Sequence, residues 1–394
     1  MLLLKGSVKH YAWGGYGYIP QFLGEIPDGS TPSAELWLGA HEAGPAVLTD
    51  GSTLDKWLSE DPQGRLGAQV TETFGPRLPY LMKVLDIREP LSIQVHPTLE
   101  QAKAGYARES AANTPVAQRS YKDDNHKPEI GLALTQVFLL QGFAPKAQAL
   151  AQLGRFESLK SLAADYESLG LKEFVHRIFA LKKEEINSLC APLLERYERA
   201  YLKDELSRLD PLFWLLRAAL VNREHNLSLD AGLIMVLIMN LRCLERGEVG
   251  FMSAGMPHAY LEGQVLELMA NSDNVVRGGL TPKHVDVPEL LAISNFERGV
   301  PQLIKPRVAA DGAQLYEVPV RDFVLSEYQL KAGESLNLKS PSGGSIYLVF
   351  EGEGALQGQA QLLKRSSAFY QAPGEDGVLK AHTALRLFKA ACAL

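Results

Sequence analysis

The order of strand-like and helical runs constrains the fold of this chain more than any other feature. Residues 1 to about 143 carry short apolar runs separated by turn residues, which indicates β-structure. From about 145 to 245 the pattern is helical, and Asp210-Pro211 provides a good helix start. We interpret LDAGLIMVLIMNLRCLE, residues 229–245, as one buried helix. Strands resume after a linker at 300–307, so we expect a mainly β fold with a helical insertion.

The residues after that linker alternate apolar runs with Gly and Pro turns. SIYLVFEGEGALQG at 345–358 and SSAFYQAPG at 366–374 are typical of the short strands of a small jelly roll. His382 is the only histidine of this block, and no cluster of ligand residues accompanies it. We therefore expect the block to stabilise or shield the preceding β-structure rather than to bind a metal.

A histidine and a carboxylate lie close together in the segment that begins FMSAGMPHAY. The apolar runs Met256–Leu261 and Val265–Ala270 flank Glu262-Gly263, which predicts a hairpin with a two-residue loop. In that register His258 lies opposite Glu267, and both side chains project from one face. Glu267 stands between two leucines, so burial would require it to be paired, near a metal or protonated. The alternative is an exposed carboxylate on an edge strand.

Two upstream segments supply further polar side chains. In PLSIQVHP, residues 90–97, strand alternation puts Gln94 and His96 on the same face. In YKDDNHKPEI, residues 121–130, Pro128 excludes a helix interior and favours an extended backbone. An extended backbone gives one face to Asn125, Lys127 and Glu129.

The combination of these residues predicts a metal site. One amide oxygen, two imidazoles and one carboxylate are offered by Gln94, His96, Glu129 and His258. A single strand histidine is more often a core residue than a ligand, so only the combination favours a metal. The set suits zinc, and with a divalent ion it keeps a net positive charge that can accept a substrate oxygen. If the four residues meet, the helical block must be inserted between parts of one barrel.

Three motifs resemble the signatures of the type I mannose-6-phosphate isomerases, the zinc-dependent phosphomannose isomerases of the cupin superfamily. These motifs are QVHP, YKDDNHKPE and PHAYLEGQVLELMANSDNVVRGGLTPK, and HYAWGG, AELWLGAHE and PYLMKVLDIREPLSIQVHP agree with them. The match runs from near the N-terminus to about Leu290 and is interrupted by the helical stretch. It departs at Thr98, where an acidic or amide residue is expected, yet Thr98 and Gln101 have capping-box spacing. The run MSAGMP before the proline-histidine pair also differs.

The resemblance implies a fold and a set of site residues. The implied fold is a cupin-type jelly-roll (double-stranded β-helix) catalytic barrel from residues 1–143 and 246–306, a helical insertion at 144–245 and a C-terminal jelly-roll domain at 307–394. The implied ligands of one Zn²⁺ ion are Gln94, His96, Glu129 and His258. The implied catalytic residues are Arg277, Glu267 and Lys127, and the implied substrate-binding residues are Lys283, Lys83, Tyr260, Trp13 and Asp273.

The resemblance also implies a reaction, the interconversion of mannose 6-phosphate and fructose 6-phosphate. Proton transfer between C1 and C2 needs a positioned base, and the sequence leaves Glu267 and Lys127 as alternatives. Arg277 can stabilise developing charge or bind phosphate, unless it is only a surface cation beside Asp273. Two other functions use similar ligands: a cupin metalloenzyme such as an iron-dependent oxygenase, and a non-catalytic zinc-dependent sugar-phosphate sensor.

Whole-chain composition excludes some partners. The net charge of -6 gives no support for a general nucleic-acid or anionic-membrane surface, so a phosphosugar substrate needs a local cationic site. The three cysteines, Cys190, Cys243 and Cys392, are too few and too widely spaced for a disulfide framework. No targeting segment stands out, and we expect a cytoplasmic monomer.

Overall fold

Antiparallel β-sheets form both ends of the chain. A computed structural model describes residues 1–394, apart from the side chain of residue 117. The strands before the helical block are β1 (Leu2–Lys5), β2 (Ser7–Lys9), β3 (Glu35–Gly39), β4 (Val47–Leu48), β5 (Tyr80–Ile87), β6 (Gln94–Val95), β7 (Glu129–Ala133) and β8 (Val137–Phe143). The next strands are β9 (Met239–Leu244), β10 (Val249–Met252), β11 (His258–Ala270) and β12 (Val276–Arg277). The C-terminal strands are β13 (Arg307–Val308), β14 (Gln314–Tyr316), β15 (Val324–Leu330), β16 (Ser335–Leu338), β17 (Ser345–Glu351), β18 (Gly354–Leu356), β19 (Leu362–Leu363), β20 (Ala368–Gln371), β21 (Gly377–Ala381) and β22 (Leu385–Ala391).

Helices lie mostly between the two β-rich parts. The helices outside the central block are α1 (Tyr18–Phe22), α2 (Leu54–Glu60), α3 (Pro62–Leu66), α4 (Ala68–Phe74), α5 (Leu99–Ala111) and α12 (Val287–Ile293). The central block contains α6 (Lys146–Gly154), α7 (Lys160–Leu169), α8 (Leu171–Phe179), α9 (Lys183–Leu202), α10 (Pro211–Glu224) and α11 (Gly232–Ile238). Short 3₁₀ turns occur at Val116–Gln118 and Glu157–Leu159. Within the described residues, no helix combines the length and the apolar character that a bilayer crossing requires.

The long strand β11 is the centre of the sheet that carries the site, and it is not the hairpin that the sequence predicted. Its first half pairs with β6 and β8, and its second half pairs with β5 and β7. Gly263 has a φ of 122°, so the chain bends there without reversing direction. A register shift between Tyr260 and Glu262 changes the alternation of side chains. Each half of β11 therefore has a paired strand on both of its edges. This central position in the sheet explains why the side chain of Glu267 is buried.

The predicted helix over 229–245 is also only partly correct. Helix α11 ends at Ile238, and the next residues form β9, which pairs with β8. Asn240, the second residue of β9, donates hydrogen bonds to the carbonyl oxygens of Gln141, Phe143 and Gly299 at 3.0, 3.1 and 2.6 Å. These contacts stabilise an extended backbone, and an apolar run gives no local signal of them. The predicted start of α10 is confirmed, because Asp210 accepts a hydrogen bond from the Leu212 amide at 3.0 Å.

The C-terminal strands form an eight-stranded sheet and a four-stranded sheet. The eight-stranded sheet has the order β13-β14-β15-β22-β17-β20-β1-β4, and the four-stranded sheet has the order β16-β21-β18-β19. The sequence analysis had placed β1 and β4 with the first barrel, yet both belong to this C-terminal sheet. β1 pairs with β20, more than three hundred residues later, and β4 joins the sheet through β1, so no local pattern of two to four residues indicates this placement. One apolar core contains residues of β5, β17 and β22 and joins the two β-rich parts.

Candidate metal centre and substrate pocket

Two histidines and a glutamate converge in space, although His258 begins β11 and Glu129 pairs in register with Met269 near its other end. His96 follows β6, Glu129 begins β7 and His258 begins β11, and all three side chains are buried. One ligand atom from each lies within 4.8 Å of the others. The Nε2 atoms of His96 and His258 each lie 3.3 Å from a different carboxylate oxygen of Glu129. The helical block separates His258 from His96 and Glu129 in sequence, and the structure brings the three together as the metal prediction requires.

The imidazoles are oriented by backbone carbonyl groups. His96 Nδ1 lies 2.8 Å from the carbonyl oxygen of Asn274, and His258 Nδ1 lies 2.9 Å from that of Met256. Each carbonyl oxygen accepts a hydrogen bond from the protonated Nδ1, which leaves Nε2 of that ring free to bind a cation. His96 Nε2 is buried and has no hydrogen-bond partner among the described atoms. An unpaired buried nitrogen next to a carboxylate fits a bound divalent ion.

The charges around Glu129 keep it ionised and keep His96 neutral. Lys127 contacts Glu129 directly. Although burial favours the neutral carboxyl, Lys127 and His96 hold the pKa of Glu129 well below its usual range. Burial and the charge of Lys127 lower the pKa of His96 to about 4. An anionic carboxylate and a neutral imidazole are the protonation states that metal ligands need.

Gln94 is placed beside these ligands by strand pairing. In the register of β6 it lies opposite His258 on one side and opposite Arg277 on the other. Directly opposite residues of an antiparallel pair have side chains on the same face, so Gln94 lies beside His258. Its role as the fourth ligand stays a prediction.

The departure at Thr98 leaves the ligand strand anchored. Thr98 accepts a hydrogen bond from the Gln101 amide at 3.2 Å, and the Gln101 side chain accepts one from the Thr98 amide at 2.9 Å. This capping box has Thr98, two residues after His96, as the cap of α5. It confirms the cap that the spacing predicted. A threonine therefore performs the structural role at this position.

Glu267 lies in a row of buried charges on β11, β5 and β3. Lys83 is 3.3 Å from Glu267 and 3.4 Å from Glu35. Burial and the nearby carboxylate of Glu129 raise the pKa of Glu267 to about 7. Burial opposes the charged form of Lys83, but Glu35 and Glu267 outweigh it and raise the pKa of Lys83. The prediction that Glu267 is buried and paired agrees with this geometry, and the edge-strand alternative is wrong.

Two predicted cations lie on β12 and in the loop that follows it. Arg277 is half-buried on β12, and burial lowers its pKa. Lys283 is exposed six residues later, and burial of part of its side chain together with the charges of Arg277 and Lys122 lowers its pKa. The Lys122 amide donates a hydrogen bond to the Asn274 side chain at 2.7 Å, so Lys122 also lies beside the segment that leads to Arg277. Asp273 does not act as the partner of Arg277, because its carboxylate lies 3.5 Å from His41 Nε2.

The predicted aromatic residues Tyr260 and Trp13 pack in one apolar cluster. Tyr260 is buried, and its hydroxyl oxygen has no hydrogen-bond partner among the described atoms. A methyl group on Gly131 would place carbon 2.2 Å from that oxygen, so glycine is needed beside the ring. Trp13 packs on the same apolar cluster as Tyr260, and its ring stacks on Tyr11 at a centroid distance of 5.9 Å.

Five residues that contact predicted site residues or their neighbours were given no role from the sequence. They lie inside motifs that the sequence analysis quoted without assigning a role to each residue: Tyr11, Glu35, His41, Lys122 and Asn274. Asn274 is fully buried, and besides holding His96 it donates to the carbonyl oxygens of Asp123 and Asn125 at 2.7 and 2.8 Å. In the sequence, Asn274 is only a polar residue within a motif. Its hydrogen-bond partners can be identified only from the tertiary structure.

Comparisons with known proteins agree on one family. The family described as "Phosphomannose isomerase type I, catalytic domain" matches residues 1–146. The chain is 34% identical over 395 residues to the mannose-6-phosphate isomerase of Escherichia coli (strain K12), covering 97% of this chain and 95% of that relative. The structure matches a crystal structure of a mutant phosphomannose isomerase from Salmonella typhimurium with a TM-score of 0.89, 31% identity and 100% coverage of both chains. A crystal structure of mannose 6-phosphate isomerase bound with zinc and yttrium matches with a TM-score of 0.87, 31% identity and 100% coverage of both chains.

Proposed function

Because this chain belongs to the type I phosphomannose isomerase family, we propose that His96, Glu129 and His258 bind one zinc ion beside the substrate pocket. The chain is an enzyme that interconverts mannose 6-phosphate and fructose 6-phosphate. The convergence of these three buried side chains is the observation that carries the metal proposal. Gln94, paired in register with His258, is the proposed fourth ligand. The oxygenase and sensor alternatives have no feature of the pocket in their favour.

The proposed zinc ion and a nearby base have different roles in the proton transfer. When bound, the zinc ion supplies Lewis acidity that stabilises negative charge on the substrate oxygens as a proton leaves carbon. Glu267 and Lys127 are the two candidates for the base that moves the proton between C1 and C2. A pKa of about 7 supports Glu267, because such a carboxyl can accept and return a proton near neutral pH. Lys127 contacts Glu129, which supports a role in holding that ligand instead.

The cations hold the charged end of the substrate. Arg277 lies on β12, Lys283 lies in the loop after it, and the Lys122 amide donates to the side chain of Asn274 just before β12 at 2.7 Å. A phosphate dianion lowers the mutual repulsion of such a group and gains charge-assisted hydrogen bonds from it. We assign Lys283 and Lys122 to the phosphate, and Arg277 to the junction between the phosphate and the reacting carbons. The rest of the sugar is bound by Trp13, Tyr260, Lys83 and Asp273 in this proposal.

The fold and the setting of the enzyme belong to the same proposal. The antiparallel sheet centred on β11 is the proposed cupin-type jelly-roll barrel, with α6–α11 inserted into it. The second jelly roll is formed by 307–394 together with β1 and β4, and an apolar core between its two sheets supports this assignment. Three free cysteines, one buried and two partly buried, support work in a reducing compartment such as the cytoplasm, and we propose that the enzyme is a monomer there. Sedimentation of the purified enzyme at several concentrations tests the oligomeric state.

Metal removal tests the central claim. Exhaustive chelation should abolish conversion of mannose 6-phosphate, and one equivalent of zinc per chain should restore it. His258→Ala should lose bound zinc and turnover together, because it removes one of three clustered donors. His382→Ala is the control, since this exposed histidine lies outside the cluster and its loss should change neither. Full turnover in verified metal-free enzyme would refute the proposal.

A further inference from the structure

The loop that carries Arg277 and Lys283 is anchored at two points by different parts of the chain. Its first half is held by β6, where Arg277 pairs with Gln94. The Gly278 amide donates to the carbonyl oxygen of Ile93 at 2.8 Å, and the Ile93 amide donates to that of Gly279 at 3.0 Å. The position of Arg277 is therefore set by the strand that also precedes His96.

The second half of the loop is held by the helical block. Asp230, which precedes α11, accepts hydrogen bonds from the amides of Leu280 at 3.1 Å and Thr281 at 3.0 Å. The same carboxylate accepts a bond from the Gly232 amide at 2.7 Å, so it joins the start of α11 to the loop. Thr281 then continues the chain of contacts, because its hydroxyl oxygen accepts from the Lys283 amide at 3.1 Å.

The contact between these two segments is too close for ordinary side chains. A methyl group on Gly232 would lie 2.2 Å from the Leu280 nitrogen, and one on Gly279 would lie 2.4 Å from the Gly232 α-carbon. Leu280 has a φ of 53°, a left-handed conformation that a leucine adopts only where its surroundings hold it. Asp230 supplies the hydrogen bonds that hold it there.

Asp230 does more than begin a helix. A capping residue needs only bonds to the first amides of its own helix, and the Gly232 bond meets that need. The other two bonds go to a segment fifty residues away in sequence. Asp230 is partly buried, and burial raises its pKa even though three backbone amides favour the carboxylate. Such an acceptor leaves several amides unsatisfied if it is removed.

We propose that Asp230 is a positioning residue for substrate binding, which places Lys283 for the phosphate while β6 places Arg277 independently. The inference rests on the proposed phosphate role of Lys283. It gives the helical block a direct part in the site, although none of its residues touches the reacting carbons in this mechanism. Loss of Asp230 should therefore weaken substrate binding much more than it slows the chemical step.

Steady-state kinetics of Asp230→Ala and Asp230→Asn test this separation. Asp230→Ala should raise KM for mannose 6-phosphate by roughly tenfold and change kcat by less than about threefold, as expected when shared binding energy is lost. Asp230→Asn should have the smaller effect on KM, because its amide oxygen can keep two of the three hydrogen bonds. Asp210→Asn is the matched control: it changes a carboxylate on the same helical block that bonds only Leu212 and Arg155. It should leave both constants unchanged.

Amide hydrogen exchange provides a readout that does not depend on activity. Exchange in residues 278–285 should speed up in both Asp230 variants, while β11 and the zinc content stay as in the unmodified enzyme. If Asp230→Ala does not fold, Asp230→Asn alone decides. Unchanged KM with unchanged exchange would overturn the inference, and so would a fall in kcat at constant KM.

Kinetics of Lys283→Ala distinguish failure of the positioning role of Asp230 from failure of the phosphate role of Lys283. If Lys283→Ala raises KM and neither Asp230 variant changes KM, the positioning role fails and the phosphate site stands. If Lys283→Ala leaves KM unchanged, the phosphate role of Lys283 fails, and the proposed consequence of the Asp230 contact for KM fails with it.

Discussion

Alanine in place of Gly131 should strain the wall of the pocket, because Tyr260 occupies the space that a methyl group needs. The new carbon would lie 2.2 Å from the Tyr260 hydroxyl oxygen and 3.2 Å from a methyl carbon of Val265. Overpacking of this kind costs about 1–3 kcal/mol. Replacing glycine also restricts the unfolded chain, which offsets about 0.4–1 kcal/mol. We expect a net loss of about 1–2 kcal/mol in the free energy of unfolding.

Tyr260→Phe should relieve most of that loss. Without the hydroxyl oxygen, the nearest ring carbon lies 3.3 Å from the alanine methyl carbon, a contact that a small shift accommodates. The hydroxyl is buried without a described partner, so its removal by itself should cost little stability. In the Tyr260→Phe background, Gly131→Ala should therefore cost at least about 1 kcal/mol less than in the unmodified enzyme.

Urea unfolding of the four proteins in this double-mutant cycle measures the coupling. Gly154→Ala is the matched control, since this helical glycine has no atom within 4 Å of the added methyl group. It should raise the free energy of unfolding by up to about 1 kcal/mol, the gain expected of alanine in a helix. The reasoning is refuted if Gly131→Ala is as stable as the unmodified enzyme, or if its cost is the same with Phe at 260.

Three further outcomes follow from the charges of the structure. Glu267→Gln should lower kcat by about a hundredfold or more and change KM little if Glu267 is the base, and a near-normal rate would exclude it. Lys283→Ala should raise KM with kcat nearly unchanged, and inhibition by inorganic phosphate should weaken in parallel. Burial disfavours the ionised form of Asp210, yet hydrogen bonds from Arg155 and the Leu212 amide lower its pKa, so Asp210→Asn should reduce stability at neutral pH, and the loss should shrink as the pH falls below about 4. A stability difference that grows on acidification would contradict this sign.

The row of buried charges explains why this pocket suits a phosphosugar. Three carboxylates, Glu35, Glu129 and Glu267, face the two lysines Lys83 and Lys127. Buried charges are stable only when they are paired, so each carboxylate is held by a neighbouring cation. A divalent ion would make the set positive, which favours an anionic substrate. The contact with Lys83 also fixes the position of Glu267. The pKa of Glu267 is nevertheless raised, so this carboxyl can still take up a proton.

Several features could be predicted because they depend on neighbours in sequence. The caps at Thr98 and Asp210 follow from the residue types and their spacing, and both are present. Alternation predicted that Gln94 and His96 share a face, and Pro128 predicted the extended approach to Glu129. The residue types alone also selected the metal-binding group, of which His96, Glu129 and His258 are adjacent in the structure.

Other features depend on contacts that no local pattern records. The predicted hairpin at Glu262-Gly263 is a bulge in one long strand, because separate partners pair with each half of β11 and a turn is not needed. The second half of the predicted helix over 229–245 is the strand β9 instead. Its backbone pairs with β8, and the Asn240 side chain donates to three carbonyl oxygens. Apolar runs fit a buried strand and a buried helix equally well, so only the neighbouring elements decide between them.

By itself, the sequence determined which chemistry this chain can perform, because its motifs carry the metal donors, the candidate bases and the cations. These functional groups are fixed by residue type and do not depend on the fold. Only the tertiary structure decided how those groups act on one another. The lowered pKa of His96, the raised pKa of Glu267 and the Asp230 clamp on the loop of Lys283 each arise between residues far apart in sequence. Burial and charge proximity produce these effects, and both come into existence when the chain closes around β11.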